Sequence, residues 1–203
     1  MAKRESTFAN MVITLFLITA IAAGALGFVY DMTKEAIELA RLKARNEAIE
    51  KVLPEYEELG ESYKVAVENS EDSLLFFPAY NNDELTGVAV RTFTNKGYSG
   101  YISIMVGIDN SGNISGYEVL EHAETPGLGS KMDTWFSNPE KPNQYVIGKS
   151  PETTSFEVSK DGGDIDAITA STITSRAFLE ALKRAWNAYN EKSVEAISGL
   201  TGE

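Results

Sequence analysis

The sequence contains no cysteine and only one histidine, His122, and these absences narrow what the chain can bind. Without cysteine there is no disulfide framework, no lipid-modified cysteine anchor and no thiolate-bound iron–sulfur cluster. A single imidazole without thiolates cannot assemble a transition-metal site of the ordinary ligand types, so we predict no metal site. If electrons pass through this chain, an organic cofactor therefore has to carry them.

Positive charge is also scarce. The chain has 18 Lys and Arg against 30 Asp and Glu, which gives a formal net charge of −12. Lys3, Arg4 and Glu5 together contribute +1, so the rest of the chain carries −13. A surface of this sign repels nucleic acid and anionic lipid headgroups. We therefore predict no nucleic-acid partner, and membrane association through a helix and partner proteins.

An uncharged apolar segment occupies residues 8–30. A helix of about 23 residues spans about 34 Å, which exceeds a bilayer core, and we predict a single membrane-spanning helix here. Lys3 and Arg4 precede the segment and Asp31 follows it, which predicts a cytoplasmic N-terminus and an extracytoplasmic main domain. A cleaved signal peptide is the alternative, because residues 22–24 are small. The length of the run favours an uncleaved anchor in the inner or cell membrane.

The remainder of the chain predicts a connector, one domain and a tail. Small and apolar residues recur at helical spacing from Thr33 to Leu53, and an acidic loop follows Pro54. Strand-like runs then alternate with Asn, Asp and Gly turns: Tyr63–Val67, Ser73–Tyr80, Leu85–Thr92, Tyr101–Ile108, and a further strand beyond the turn at 109–112. We predict an α+β fold with a mainly antiparallel sheet flanked by helices. The predicted boundaries are a cytoplasmic N-terminus at 1–7, the membrane helix at 8–30, the connector and acidic loop at 31–62, the domain at 63–192 and a flexible tail at 193–203.

A cluster of hydroxyl-bearing and small residues lies at 166–175, directly before an amphipathic helix. Phe178, Leu182 and Ala185 recur at helical spacing in that helix. Free N–H groups and the helix dipole would then point back at Thr172, where an anion is favoured. Ordinary capping of the helix by these hydroxyl groups is the alternative.

The wider pattern D-A-I-T-A-S-T, from Asp166 to Thr172, resembles the flavinylation motif D-x-x-[ST]-G-A-T of the FMN-binding domain family. This resemblance implies that Thr172 carries FMN through a phosphoester bond, and we rank it above the neighbouring hydroxyls of Thr169, Ser171 and Thr174. It also implies a cofactor cradle consisting of Thr169, Ala170, Ser171 and Ile173. A Mg-dependent flavin transferase that uses FAD would recognise the segment through Asp166.

The match departs from the family motif at two positions. Ala170 stands where glycine is most common, and Ser171 stands where alanine is. Alanine lacks the freedom of glycine at positive φ, so we predict a turn that alanine can adopt. Ser171 places a second hydroxyl beside Thr172.

A second motif, E-T-P-G-L-G, resembles the flavin-contacting loop of the same family. The resemblance implies that this loop holds the isoalloxazine ring, with glycines that let the backbone approach it; its residues are Glu124, Thr125, Pro126, Gly127, Leu128 and Gly129. Taken alone, the loop is a tight turn. We interpret Glu124 and His122 as hydrogen-bonding residues of the loop, without a catalytic role. Lys131 is a candidate for holding the phosphate. Tyr98, in a Gly-rich stretch upstream, is interpreted as a buried or edge tyrosine, and a position flanking the flavin is the alternative.

Taken together, the chain is similar to the G subunits of Rnf-type electron transport complexes. The resemblance implies a membrane-anchored electron carrier with covalent FMN, which relays electrons between partner membrane subunits of a complex that couples ferredoxin/NAD electron transfer to ion translocation. It is not expected to catalyse a reaction alone. The C subunit of sodium-pumping NADH:quinone oxidoreductase shares both motifs but is generally longer. A membrane-tethered binding or sensory module without a redox role, and a free-standing flavin shuttle, are further alternatives.

Overall fold

A computed structural model describes residues 7–67 and 72–200 of the chain, with side chains described as far as residue 192. Lys3 and Arg4, which carry the predicted orientation in the membrane, lie outside the described residues, as do residues 201–203 of the predicted tail. The chain divides into two compact units, residues 1–44 and 45–203.

The first unit consists of most of the helix α1, Phe8–Val52. Its apolar part has a mean hydropathy of 2.4 over 18 residues, and none of that window is buried within the protein. By length and composition this helix can cross a membrane. The helix predicted from Thr33 to Leu53 is confirmed as the continuation of the same element, and it ends just before Pro54, as expected for a residue that disfavours helix in its predecessor.

The second unit contains an antiparallel sheet of six strands. They are β1 (Glu58–Leu59), β2 (Tyr63–Ala66), β3 (Ser73–Asn81), β4 (Glu84–Gly97), β5 (Gly100–Asp109) and β6 (Ile114–His122). The order across the sheet is β1-β3-β4-β5-β6, and β2 pairs with another part of β3. The described part of this unit also contains the end of α1, the short helix α2 (Met132–Trp135) and α3 (Thr172–Leu200). The predicted α+β fold with a mainly antiparallel sheet is confirmed.

The hairpin turns have the chemistry that the sequence predicts. Asp109 Oδ1 accepts hydrogen bonds from the backbone N–H groups of Ser111 and Asn113, at 2.8 and 2.9 Å, so its side chain closes the turn between β5 and β6. Asn82 and Asp83 take left-handed φ angles of 50° and 63° between β3 and β4, as expected in a two-residue hairpin. Strand β1 is absent from the sequence prediction, because its two exposed residues lie within the acidic loop and carry no alternating pattern.

Helices cover both faces of the sheet. On one face, the predicted apolar side of α3 is buried, with Phe178 stacked on Phe136 at 4.5 Å between ring centroids. Full burial of a side chain of this size contributes about 1.5–3 kcal/mol. On the other face, the end of α1 packs against β5, and a Cβ on Gly107 would lie 2.0 Å from Val52 O. The Ser115 hydroxyl donates to that same carbonyl at 2.5 Å, so the last turn of α1 is tied to the sheet.

Helix α3 continues to Leu200, through most of the segment predicted to be a flexible tail. Its first turn lies beside the loop that follows β6, because α3 runs across the same sheet face. The fold therefore brings the two sequence motifs together, although about 40 residues of largely loop structure separate them.

Candidate functional site

The segment 166–175 forms a locked turn followed by the first turn of α3. The Ser175 hydroxyl holds this turn through two hydrogen bonds: it accepts from Ile168 N and donates to Ser171 O, both at 2.9 Å. The backbone N–H of Ser175 also donates to Ser171 O at 3.0 Å, which is the first bond of the helix. The N–H groups of Thr172, Ile173 and Thr174 precede this bond, so they have no partner inside the helix and are placed to bind an anion.

Ala170 adopts a left-handed backbone conformation, with φ of +63°. The predicted turn is therefore one that alanine adopts only at a cost, because a side chain with a Cβ is about 1–2 kcal/mol less favourable there. Glycine, the commonest residue at this position of the resembled motif, avoids that clash. Ser171 N donates to Ile168 O at 2.9 Å and closes the turn around Ala170.

Glu124 connects the two motifs. Its side chain is buried, and it accepts hydrogen bonds from Ser99 N at 3.0 Å and from the Thr174 hydroxyl at 2.8 Å. Its own N–H donates to His122 Nδ1 at 3.1 Å. One carboxyl group thus joins the β4–β5 turn, the loop after β6 and the first turn of α3. The structure gives Glu124 and His122 the hydrogen-bonding roles expected from the sequence.

The Glu124 carboxyl group leaves no room for a side chain at two neighbouring positions, and both are glycine. A Cβ on Gly129 would lie 2.5 Å from Glu124 Oε2, and a Cβ on Gly97 would lie 2.7 Å from Glu124 Oε1. Gly127 meets a different need, since its φ of +75° lies in the left-handed region. The sequence interpretation, close approach of the glycines to a flat ring, stays a prediction: Gly129 lines the cavity, and a Cβ there would meet Glu124 and Thr174.

The two motifs enclose one cavity of about 440 Å³, within the range of small-molecule sites. Its lining combines polar groups with three exposed apolar side chains, Tyr98, Leu128 and Ile173. The other lining residues are Glu124, Thr125, Gly129, Ala170, Ser171, Thr172 and Thr174. Tyr98 is 71% exposed and lines the cavity, so of the two positions expected for it, buried or at an edge, the buried one is excluded.

Other predicted site residues lie outside the cavity lining. They are Pro126, Gly127, Lys131, Asp166 and Thr169. Asp166 has a structural connection to a neighbouring turn, because its Oδ1 accepts from the Ser159 hydroxyl at 2.7 Å. Lys131 is exposed in the short 3-10 turn Gly129–Lys131.

A basic residue that the sequence does not reveal lies next to Thr172. Lys160 Nζ is 3.4 Å from Thr172 Oγ1, across twelve residues of chain. It belongs to the 3-10 turn Ser159–Asp161, which ion pairing between Asp161 and Arg176 holds against α3. This pair lowers the pKa of Asp161 through the hydrogen bond from Arg176. Only the tertiary contact reveals Lys160, since nothing in its spacing distinguishes it from other lysines.

His122 has a second neighbour, Asp133, whose Oδ1 lies 3.8 Å from His122 Nε2. Burial raises the pKa of Asp133, while the nearby His122 acts in the opposite direction. Within residues 7–67 and 72–200, no group of three or more His, Asp and Glu side chains is placed to hold a metal ion.

Sequence comparison with known proteins also indicates a cofactor site in this region. Residues 97–187 match the model of the FMN-binding domain family, and this range includes both motifs and the whole cavity lining. Similar proteins, each named as the G subunit of an ion-translocating oxidoreductase complex, occur in Salmonella typhi (36% identical over 200 residues, 93% of this chain and 94% of the relative), Aliivibrio fischeri (34% over 190 residues, 87% and 86%) and Vibrio parahaemolyticus (30% over 198 residues, 92% and 91%). The chain therefore belongs to the family of G subunits of ion-translocating oxidoreductase complexes and contains an FMN-binding domain.

Proposed function

We propose that this protein is the membrane-anchored, FMN-carrying electron-transfer subunit of an Rnf-type ion-translocating complex. The observation that carries the proposal is the cavity built jointly by the two motifs, with Thr172 at the start of α3. The residues present fit the cofactor: a helix N-terminus and Lys160 suit a phosphate, and exposed apolar side chains suit a flat ring. A bound flavin supplies reversible acceptance of electrons, which no side chain of this chain provides.

Thr172 is the proposed point of covalent attachment. It lines the cavity, and Lys160 is close to its hydroxyl oxygen. The competing hydroxyls are less suitable: Ser171 is buried, Thr174 is buried and donates to Glu124, and Thr169 lies outside the cavity lining. Burial and existing hydrogen bonds therefore favour Thr172 among the four.

The ring would lie against the apolar side of the cavity. Tyr98, Leu128 and Ile173 come from three different segments and provide the exposed apolar surface there. Glu124 fixes these segments relative to one another, since its carboxyl group bonds to the residue after Tyr98 and to the residue after Ile173. Its proposed contribution is to hold the loop and the helix start in place.

Attachment requires a partner enzyme, which we propose to be an FAD-using flavin transferase. The Thr172 hydroxyl oxygen forms a bond to the FAD phosphorus that bears the riboflavin part, and the bond from that phosphorus to the bridging oxygen breaks. AMP leaves with the bridging oxygen, and the hydroxyl proton passes to a base of the transferase. The reaction transfers the riboflavin phosphate unit of FAD from one oxygen to another, so no oxidant or reductant is consumed.

The membrane arrangement is also a proposal. The apolar part of α1 would span the membrane, with the N-terminus in the cytoplasm and residues after Asp31 outside, bound to other membrane subunits. Matches that cover at least 86% of both this chain and the cited relatives support a G subunit over the longer C subunit of sodium-pumping NADH:quinone oxidoreductase.

The test is covalent flavin on the full-length chain in host membranes, with and without a co-expressed flavin transferase. We expect one FMN per chain by intact mass and fluorescence in a denaturing gel, only when the transferase is present. Thr172→Ala should lose this flavin at little cost in stability, because the carbonyl of Ser171, not Thr172, accepts the first bond of the helix and the Thr172 hydroxyl contacts Lys160. Thr134→Ala, at an exposed threonine outside both motifs and outside the cavity lining, is the matched control and should retain it. A folded wild-type chain without covalent flavin, beside a control substrate that is modified, would contradict the proposal and favour a binding module without a redox role.

A further inference from the structure

The turn that carries Lys160 is firmly attached to the start of α3. Asp161 forms two hydrogen bonds with Arg176, at 2.6 and 2.8 Å, and the Ser159 hydroxyl donates to Asp166 at 2.7 Å. Val158 is buried in the core and forms a bridge with Ile165. Contacts on both sides of Lys160 therefore determine where its side chain begins, and from there its ammonium group reaches Thr172.

The carboxyl groups around this lysine are already engaged. Each has a partner other than Lys160: Glu157 with Lys183, Asp161 with Arg176, Asp164 with Ser155 N, and Asp166 with Ser159. Lys160 also interacts electrostatically with Asp161, but among the residues that the structure describes no ion pair within 4.0 Å joins it to a carboxyl group. Asp161, its neighbour in the chain, bonds to the guanidinium of Arg176.

The ammonium group also lies beside the positive end of a helix dipole. A cation is unfavourable at a helix N-terminus, where the peptide dipoles already present positive partial charge. The contact of Lys160 with an uncharged threonine hydroxyl does little to offset this. An anion placed between the ammonium group and the free N–H groups of α3 would convert the unfavourable arrangement into a favourable one.

We propose that Lys160 is the phosphate-binding residue of this site, and that it pairs with the phosphoester on Thr172. This assignment rests on the proposed function and makes it more specific. Lys160 donates a charge-assisted hydrogen bond to an oxygen of the phosphate, both in the attached cofactor and while the donor phosphate is brought to the Thr172 hydroxyl. Neither Lys160 nor Lys131, the lysine suggested by its position after the glycine loop, is among the lining residues, and the contact of Lys160 Nζ with Thr172 Oγ1 is what favours Lys160.

The experiment compares Lys160→Gln, Lys160→Arg and the matched control Lys131→Gln in the full-length chain, with a limiting amount of co-expressed flavin transferase. A hydrogen bond to a charged group corresponds to a change of about tenfold or more, so we expect the initial rate of flavin attachment to fall about tenfold in Lys160→Gln. Lys160→Arg should retain most of the rate because it keeps the charge. Lys131→Gln should stay within about twofold of the wild type, as expected for an exposed charge without the contact to Thr172 that Lys160 makes.

A second readout does not depend on the attachment rate. The thermal midpoint of fully flavinylated chain is compared with that of unmodified chain, both for wild type and for Lys160→Gln. The stabilisation brought by the attached cofactor should be smaller by about 3 °C in the variant. In wild type it should shrink as NaCl rises from about 0.05 to about 0.5 M, and in Lys160→Gln it should change little.

The outcomes separate the two proposals. Wild-type rate and wild-type salt dependence in Lys160→Gln would overturn the assignment of Lys160 and leave covalent flavin attachment intact. A tenfold loss in Lys131→Gln would transfer the phosphate-binding role to Lys131. If the wild-type chain acquires no flavin from a transferase that modifies a control substrate, the proposed function fails, and the role of Lys160 fails with it.

Discussion

Replacing Ala170 by glycine should stabilise the folded protein, although glycine substitutions usually destabilise. Ala170 has a φ of +63°, where an L-residue is disfavoured by about 1–2 kcal/mol. Glycine removes this cost but adds about 0.5–1 kcal/mol of unfolded-chain entropy. The difference predicts a net stabilisation of about 0.5–1 kcal/mol, equivalent to a rise of about 1–4 °C in the thermal midpoint.

The assay is thermal unfolding of the full-length chain in detergent, followed by circular dichroism for wild type, Ala170→Gly and Ala123→Gly. Ala123 is an exposed loop alanine without a left-handed φ, so glycine there should cost about 0.4–1 kcal/mol. Opposite signs for the two variants are the expected result. Equal losses at both positions would refute the reasoning, because they would show that Ala170 is not strained in the protein.

Two further predictions concern buried polar groups. Thr174→Val removes the hydroxyl that donates to Glu124 Oε2 at 2.8 Å, and because that carboxyl group is buried, we expect a loss of about 1.5–3 kcal/mol in urea unfolding. A loss below about 0.5 kcal/mol would mean that the bond contributes little. Burial raises the pKa of Tyr117 to about 12, so the folded state keeps its proton where the unfolded state loses it. Stability should therefore be complete below about pH 10 and fall by about 2–3 kcal/mol as the pH rises to 12. Tyr117→Phe should remove this part of the pH dependence, and an unchanged slope in the variant would argue against it.

Most of the secondary structure could be predicted because its patterns are local. The strand of apolar residues over 101–108, the Asp109 turn and the apolar stripe of α3 all appear where the sequence indicates. Strand β1 could not be predicted, since its two residues become a strand only through pairing with Tyr80 and Ala79. The bulges in the β5–β6 pairing have the same origin, because they depend on where two distant segments meet.

The candidate site likewise contains residues that the sequence reveals and residues that only the fold reveals. Thr172 and Glu124 are recognisable from motifs in the chain, and both line the cavity. The exposure of Tyr98 and the position of Lys160 are not recognisable, because each depends on how a turn is packed against another segment. Lys131 shows that nearness in the chain is a poor guide: it follows the glycine loop directly, yet the lysine in contact with the Thr172 hydroxyl is Lys160.

By itself, the sequence determined the apolar helix, the antiparallel strands, the absence of thiolate chemistry and the two motifs. Each of these follows from the composition or periodicity of a short stretch, because the length and period of a hydrophobic pattern indicate a membrane span, a helix or a strand. Only the tertiary structure decided that Glu124 joins both motifs, that Ala170 is held at a positive φ and that Lys160 approaches Thr172. Those contacts form between residues far apart in the chain, because α3 and the β6 loop are brought together by packing on one face of the sheet.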